Sequence, residues 1–306
     1  MRKPTFDPGL TQQFAGVLRR SINKDGSFNV RRRGASWKHL HPYLTLLNMS
    51  WTQFLAIILA GYCVVNAFFA AIYFLLGADG LQGADAGSEA RRFLSDFFFS
   101  AHTLTTVGYG NISPATLSSN ILSALEALVG LLGLALATGL LFGRFSRPSA
   151  RIAFSERMLI SPYQDRTSAQ FRIVNLRPNV LMDLQAHAVL MTVEGEPGAL
   201  GRKYQALKLE RDDLYFLALS WTIVHPIDEE SPLSGKTAED LKRLQAEFVI
   251  LIKAYDDTFA QAVHARYSYR YDELTWQARF QPTFEIDGDG NMVLNVDRVS
   301  SHTAVA

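Results

Sequence analysis

The chain has 306 residues, a formal net charge of +1 and a single cysteine. Hydrophobic residues make up 48% and charged residues only 19%, below the about 25% typical of soluble proteins. A mean hydropathy of +0.04 is too polar for a chain that lies wholly in a membrane, so a membrane part joined to a water-soluble part is expected. One cysteine excludes an intramolecular disulfide and a cysteine-cluster zinc site. The near-zero net charge gives no reason to expect nucleic acid as a partner.

The chain begins with a segment before the first apolar run. Residues 1–36 are predicted to form a cytoplasmic N-terminal segment, and residues 37–50 an interfacial slide helix along the inner leaflet. The alternative is that this helix simply extends the first span, but Pro42 restricts His41 and argues against one continuous helix. The apolar and aromatic residues that recur there at helical spacing are Trp37, Leu40, Tyr43, Leu44, Leu47 and Trp51.

Two long apolar runs come next. Residues 51–76 carry no charge, and residues 121–142 carry only Glu126. Because a bilayer core needs about 20 apolar helical residues, the sequence predicts an outer helix at 51–76 and an inner helix at 117–145. A buried core helix of a soluble protein is the alternative, and the length and lack of charge argue against it.

The charges that flank these runs predict the orientation. Nine basic residues and two acidic residues precede Trp51, and several arginines follow the second run. The connecting stretch 77–92 holds three acids and two arginines. The positive-inside rule therefore places both termini in the cytoplasm of a multi-pass protein of the cell (inner) membrane.

A phenylalanine-rich segment lies between the two runs. Residues 93–105 are too few to cross a bilayer, so they are predicted to form a re-entrant pore helix. The pentapeptide that follows has the sequence of a potassium-channel selectivity filter. Its carbonyl oxygens can replace the water shell of an ion only if they point to one side, and glycine permits the backbone angles that this requires. One chain supplies a quarter of each oxygen ring, so a homotetramer is predicted. The filter residues are Thr106, Val107, Gly108, Tyr109 and Gly110.

Taken in order, these features resemble two-span inward-rectifier potassium channels, and the prokaryotic KirBac group in particular. The resemblance covers residues 20 to 285. It implies passive conduction with K⁺ as the permeant ion and no cofactor. No enzymatic activity is expected, because the sequence shows no nucleophile–base pair or metal cluster. The motifs that carry it beyond the filter are 24–30 (KDGSFNV), 175–177 (NLR), 225–233 (HPIDEESPL) and 265–269 (ARYSY) with Trp276.

Five residues of the inner helix recur every four positions and are predicted to line the pore. Glu126 would lie near the inner mouth of the filter and concentrate cations, although a hydrogen-bonded partner for the pore helix is an equally weighted alternative. Phe142 suits a hydrophobic constriction that closes by dewetting. The resemblance implies that Leu134 replaces the acid of strongly rectifying relatives, so strong block in the cavity is not expected. The five residues are Glu126, Gly130, Leu134, Thr138 and Phe142.

Arginines just inside the second span are predicted to bind anionic lipid, namely Arg144, Arg147 and Arg151. The alternative is that they serve orientation only. The resemblance matches Arg144 and Arg147 to phosphoinositide-binding positions of animal relatives. Ser50 and Thr52 stand where those relatives have two further basic residues. Sensitivity to anionic lipid in general is therefore expected, rather than specific activation by phosphoinositide.

Residues 146–306 show short apolar runs separated by turns, which predicts an all-β sandwich. The resemblance implies that this is an immunoglobulin-like cytoplasmic domain. Residues 287–291 begin like a calcium loop but lack its later glycine and glutamate, so a hairpin turn is expected, with no metal site beyond K⁺ at the filter. The predicted strands are 170–176, 184–193, 214–224, 248–253 and 292–296, and a short helix is predicted at 238–245.

The sequence therefore predicts membrane α plus all-β: a two-helix pore module at 51–145, with pore helix and filter, followed by a cytoplasmic β-sandwich. The predicted function is an inward-rectifier-type potassium channel, a homotetramer gated at the inner helices and cytoplasmic domain and modulated by anionic lipid. Two alternatives stay open. One is a weakly selective cation channel, and the other is a membrane-anchored sensor or binding protein with a degenerate filter.

Overall fold

The structure is a computed structural model, and it describes residues 8–13, 20–30, 33, 41–85, 87–146, 150–196 and 199–305. The chain forms two compact units. The membrane unit spans Gly34–Arg147, and the soluble unit combines Met1–Arg33 with Pro148–Ala306.

The membrane unit contains two helices, α2 and α4, that are long and apolar enough to cross a bilayer, as predicted. Both begin at a capping box, in which Ser50 caps α2 and Thr116 caps α4. The four helices of the unit are α1 (Pro42–Asn48), α2 (Trp51–Leu75), α3 (Glu89–Leu104) and α4 (Leu117–Phe145).

The pore helix α3 begins earlier than the predicted residue 93. The hydroxyl of Ser88 accepts a hydrogen bond from the Arg91 N–H at 3.3 Å, and Glu89 places a negative charge in the first turn. Both features stabilise a helix start, so the polar residues 89–92 join the helix. A two-residue strand, Leu81–Gln82 (β1), pairs with Ser113–Pro114 (β2) and closes the outer loops.

Helix α1 represents the described part of the predicted slide helix, because residues 37–40 lie outside the described residues. Pro42 occupies its first turn, where a missing N–H costs nothing. Met49 and Ser50 have extended backbone, so α1 and α2 are separate helices rather than one extended span.

The soluble unit is a β-sandwich, as predicted. One five-stranded sheet has the order β11-β10-β6-β7 with β8 also on β6, and the other has β12-β4-β5-β3 with β9 also on β5. Side chains such as Phe171 and Ile173 of one sheet and Leu190 and Phe248 of the other are buried in one shared core. Burial of this apolar surface is the main term that stabilises the sandwich.

The strands of these two sheets are Ile152–Phe154 (β3), Met158–Tyr163 (β4), Arg166–Asn175 (β5), Leu181–Glu194 (β6), Gly201–Leu207 (β7), Asp213–Leu217 (β8), Ser220–Ile227 (β9), Glu247–Asp256 (β10), Gln261–Arg270 (β11) and Leu274–Trp276 (β12). The remaining elements include a short helix, Ala238–Arg243 (α5), and two small two-stranded antiparallel sheets. These pair Ala278–Phe280 (β13) with His302–Ala304 (β16) and Phe284–Ile286 (β14) with Met292–Leu294 (β15).

The single strand predicted at 214–224 is wrong. Strand β8 pairs with β6 in one sheet, whereas β9 pairs with β5 in the other, so the chain crosses between the sheets at residues 218–219. Both strands contribute apolar side chains to the same core, so their residues form one continuous apolar run in the sequence.

The described residues 20–30 pack into the soluble unit, and the division between the two units falls between Arg33 and Gly34, close to the boundary predicted after residue 36. The Ser21 N–H donates to the Glu247 carboxylate at 2.9 Å, and Ser268 donates to the Ile22 carbonyl at 2.8 Å. Ile22 is only 2% exposed.

An acid-base cluster holds the same segment. Arg20 pairs with the carboxylate of Glu273, and the Lys24 ammonium lies 3.0 Å from its other oxygen. Burial alone would raise the pKa of Glu273, but a hydrogen bond from the Arg270 N–H and the charge of Lys24 lower it below its ordinary value.

Candidate functional site

The last turn of α3 holds the start of the predicted filter. The Val107 and Gly108 N–H groups both donate to the His102 carbonyl, at 2.9 and 3.2 Å, and the Thr106 N–H donates to Thr103 at 3.0 Å. The filter therefore leaves the pore helix through hydrogen bonds that use up carbonyls a helix end normally leaves free. The position of α3 determines where the filter starts.

The filter backbone alternates in handedness. Thr106, Gly108 and Gly110 have φ of +60°, +56° and +79°, whereas Val107 and Tyr109 have negative φ. Such alternation brings successive peptide groups to face the same side of the chain, with N–H groups on one side and carbonyls on the other. Glycine adopts positive φ without steric cost, which explains two of the three positions, and Thr106 adopts it as a strained residue.

Two side chains of the filter segment are largely exposed in the single protomer. Val107 is 51% exposed and Tyr109 is 74% exposed in the single protomer. The ring of Tyr109 packs edge-on against the ring of His102, with centroids 4.8 Å apart. Sequence reasoning did not identify this role for His102, because nothing in a local pattern signals a contact between a helix and the loop after it.

The inner helix touches the pore helix at Gly130. A Cβ atom added to Gly130 would lie 2.0 Å from the Leu104 carbonyl oxygen. Leu104 is the last residue of α3 and lies just before the filter. Helix α4 can pack this closely against the end of α3 only because residue 130 has no side chain. Gly130 therefore contacts α3, and its pore-lining role stays a prediction.

Of the two roles expected for Glu126, the contacts support the hydrogen-bonded partner of the pore helix rather than a place in the pore lining. Its side chain is fully buried, and its carboxyl group contacts the hydroxyls of Tyr73 on α2, at 2.8 Å, and Ser100 on α3. A spacing of four residues advances about 400° around a helix, so a stripe from residue 126 to 142 drifts by about 160°. Residues at the two ends of that stripe therefore face different surroundings.

The other three residues of the stripe lie on exposed surface of the protomer. Leu134 is 67% exposed, Phe142 is 71% exposed and Thr138 is exposed as well. Their role in lining a pore stays a prediction.

Arg144 makes several contacts within the membrane unit. Its guanidinium donates to the carbonyls of Leu46, at 2.5 Å, and Met49, at 2.9 Å. The same group lies over the rings of Trp51 and Phe54, 4.5 and 4.6 Å from their centroids. Arg144 thereby ties the end of the inner helix to the α1–α2 connection, and its predicted lipid-binding role stays a prediction.

The other two predicted lipid-binding arginines give less information. Arg147 lies outside the described residues, and Arg151 is exposed at the start of the soluble unit. Lipid binding by both stays a prediction.

The loop at 287–291 is a hairpin turn between β14 and β15, as predicted. The Asp287 carboxylate accepts hydrogen bonds from the backbone of Asp289 and Asn291, at 3.0 and 2.8 Å, and these bonds lower its pKa. Across the described part of the chain, no group of three or more His, Cys, Asp or Glu side chains could hold a metal ion.

Comparison with known proteins agrees with this arrangement. A family model described as the inward rectifier potassium channel C-terminal domain matches residues 152–306, and one described as ion channel matches residues 60–147. The chain is similar to the inward rectifier potassium channel Kirbac3.1 of Paramagnetospirillum magnetotacticum, with 39% identity over 91% of this chain and 94% of that protein.

Two animal proteins are more distant relatives. The G protein-activated inward rectifier potassium channel 3 of Homo sapiens is 28% identical over 92% of this chain and 77% of its own length. The inward rectifier potassium channel 4 of Rattus norvegicus is 27% identical over 86% of this chain and 68% of its own.

Proposed function

This chain belongs to the inward rectifier potassium channel family, and we propose that it conducts K⁺ passively and selectively through a pore formed by four copies. The observation that carries the proposal is the filter segment, with its alternating φ signs and its attachment to the last turn of α3. Carbonyl oxygens aligned in this way replace the hydration shell of K⁺. The C-terminal end of α3 adds partial negative charge beside Thr106, which favours a cation there.

Two observations support the proposed homotetramer: the geometry of the filter and the exposure of its side chains. One chain provides a single line of carbonyls, and a ring around an ion needs several. Val107 and Tyr109 are half or more exposed in one protomer, and adjacent copies would cover them. The phenylalanines of a neighbouring pore helix, such as Phe98 with 49% exposure, offer a suitable apolar partner surface.

The proposed gate is the cytoplasmic end of the inner helices, with both chain termini in the cytoplasm. Phe142 forms the hydrophobic constriction, and four such rings would exclude water when the helices close. Arg144, two residues later, is bonded to two carbonyls of the α1–α2 connection. A shift of α1 therefore reaches the gate through Arg144.

Anionic lipid is proposed to modulate the channel through Arg147 and Arg151. Each basic group near an anionic leaflet contributes about 1 kcal/mol of attraction, equivalent to about a fivefold change in affinity. Arg151→Gln should reduce the ratio of flux in anionic vesicles to flux in neutral vesicles. Arg211→Gln, which removes an exposed arginine far along the sequence from the second span, should not. Equal effects would refute a specific role for Arg151.

The proposal as a whole is tested by rubidium flux into vesicles that contain the purified protein. We expect rubidium uptake that is blocked by barium and is not reduced by competing sodium. Gly108→Ala should abolish uptake while the tetramer stays intact, as judged by size-exclusion chromatography. Equal sodium and rubidium flux would identify a weakly selective cation channel. An intact wild-type tetramer without flux in any lipid would instead favour a membrane-anchored sensor or binding protein.

A further inference from the structure

Four polar side chains meet in the apolar interior of the membrane unit. This buried polar cluster consists of Asn66 and Tyr73 on α2, Ser100 on α3 and Glu126 on α4. We propose that Glu126 is held there as a neutral carboxylic acid that donates its proton to Ser100, and that this link positions the pore helix. Its importance for conduction rests on the proposed function, but the protonation state does not.

The cluster connects all three long helices. The Tyr73 hydroxyl donates to Glu126 Oε2 at 2.8 Å. Ser100 Oγ contacts Glu126 Oε1 on one side and lies 3.1 Å from Asn66 Oδ1 on the other. Asn66 Nδ2 donates to the backbone carbonyl of Tyr62 at 2.7 Å. All four cluster side chains are at most 1% exposed.

The number of hydrogens in this chain of contacts decides the protonation state. A serine hydroxyl has one hydrogen to donate, but Ser100 faces two oxygens, Asn66 Oδ1 and Glu126 Oε1. If Glu126 were ionised, both oxygens could only accept a hydrogen bond, and one of the two contacts would lack a hydrogen. Rotating the Asn66 amide does not help, because its oxygen would then face the Tyr62 carbonyl at 2.7 Å. The hydroxyl of Ser100 therefore donates to Asn66, and the hydrogen between Ser100 and Glu126 comes from Glu126.

The charges around Glu126 point the same way. No lysine or arginine among the described residues pairs with it. Arg92 at the start of α3 donates to the Phe74 carbonyl, and Arg144 near the end of α4 is bonded to the α1–α2 connection. An unpaired carboxylate in a membrane interior is costly, whereas a neutral acid with two hydrogen-bond partners is not.

The remaining titratable groups provide no counter-charge either. Asp96 is an acid one turn before Ser100 on α3, is 2% exposed, and has a carboxyl oxygen without a hydrogen-bond partner. Besides Asp96, Tyr73, Arg92 and Arg144, the described titratable groups of these helices are Tyr62 and Cys63 on α2 and Glu89, Arg91 and His102 on α3. Arg91 lies in the first turn of α3 and is exposed.

The link lies where it can act on the filter. Ser100 is one turn before Leu104, and Glu126 is one turn before Gly130, which touches Leu104. The two contacts together hold the last turn of α3 against α4. Glu126 is thus a positioning residue that acts on the filter through the pore helix.

Substitution of Glu126 separates this proposal from simple packing. In Glu126→Gln the amide N–H₂ can donate to Ser100 while its oxygen accepts from Tyr73, so rubidium flux and rubidium-over-sodium selectivity should stay within about twofold of wild type. Glu126→Ala removes both bonds and should lower selectivity by about tenfold. A glutamine variant as defective as the alanine variant, in an intact tetramer, would overturn the proposal.

Infrared difference spectroscopy of the full-length protein in vesicles at neutral pH reads the protonation state directly. The wild type minus Glu126→Gln spectrum should contain the C=O stretch of a protonated carboxyl, and Asp96→Asn identifies any contribution from Asp96. Carboxylate bands in its place would overturn the proposal. If Glu126→Gln fails to assemble, Ser100→Ala provides a second test. This variant should shift the C=O stretch of the protonated carboxyl, because Glu126 loses its hydrogen-bond acceptor. An unshifted band would contradict the proposal. A wild type without flux but with the carboxyl band would refute the proposed function and leave this inference standing.

Discussion

The close approach of α4 to α3 gives the sharpest prediction, through Gly130→Ala. The new methyl group would lie 2.0 Å from the Leu104 carbonyl oxygen, 2.8 Å from its carbonyl carbon and 3.1 Å from its Cα. These are backbone atoms, so no side chain can rotate away to relieve the overlap. Either α4 moves outward by about 1 Å or the last turn of α3 moves toward the filter.

The size of the effect follows from two opposing terms. Alanine is favoured over glycine inside a helix by about 1 kcal/mol. Overpacking of a rigid contact costs about 1–3 kcal/mol, sometimes more. Gly133→Ala provides the matched control, because it has the same helix gain and its added methyl would meet no atom within 4 Å in the protomer. The difference between the two variants isolates the clash, so Gly130→Ala should be less stable than Gly133→Ala by about 1–3 kcal/mol.

Two measurements check this reasoning. The thermal midpoint of the reconstituted tetramer should fall for Gly130→Ala relative to Gly133→Ala. Because Leu104 is two residues before Thr106, rubidium flux or its selectivity over sodium should fall as well. Equal midpoints and equal flux in the two variants would show that α4 and α3 are not in contact at Gly130.

Three further predictions follow from other contacts. Arg144→Lys keeps the charge but loses the forked donation to two carbonyls, so the thermal midpoint should fall; an unchanged midpoint would refute the tie. The pKa of Glu273 is depressed in the folded protein, so its contacts contribute stability above the ordinary glutamate pKa of about 4.3. That contribution is lost as the pH falls through the depressed value. The protection factors of the amides of residues 20–30, which compare the observed exchange rate with the intrinsic rate at the same pH, should therefore fall in acid. Glu273→Gln should lower them already at neutral pH, and unchanged protection in both cases would argue against the acid-base cluster. Finally, His102→Ala removes the ring that packs on Tyr109 and should reduce rubidium-over-sodium selectivity several-fold, whereas His102→Phe should preserve it; equal loss in both would assign another role to the imidazole.

The sequence was sufficient for features that depend on local composition. Two spans follow from the absence of charge, and the filter follows from a pentapeptide with a known carbonyl chemistry. The sandwich follows from short apolar runs between turns. The sequence could not decide between the two roles expected for Glu126, because a spacing of four drifts around a helix, and a period alone does not say which neighbour each face meets.

Features that depend on distant partners were beyond local reasoning. The basic charge of Arg144 beside a span predicts lipid contact, but its partners are carbonyls of Leu46 and Met49, nearly a hundred positions earlier in the chain. The contact between Ser21 and Glu247 joins residues 226 positions apart. Neither residue carries a local pattern that identifies its partner.

The grouping of residues 1–33 with residues 148–306 has a consequence for engineering the molecule. In chain order, the whole membrane unit is an insertion into the soluble unit. A water-soluble fragment made from residues 150–305 alone would lack Ile22 and Ser21 and would expose the surface that Ile22 covers. A faithful soluble fragment would join residues 8–33 directly to residues 150–305 through a short linker in place of the membrane unit.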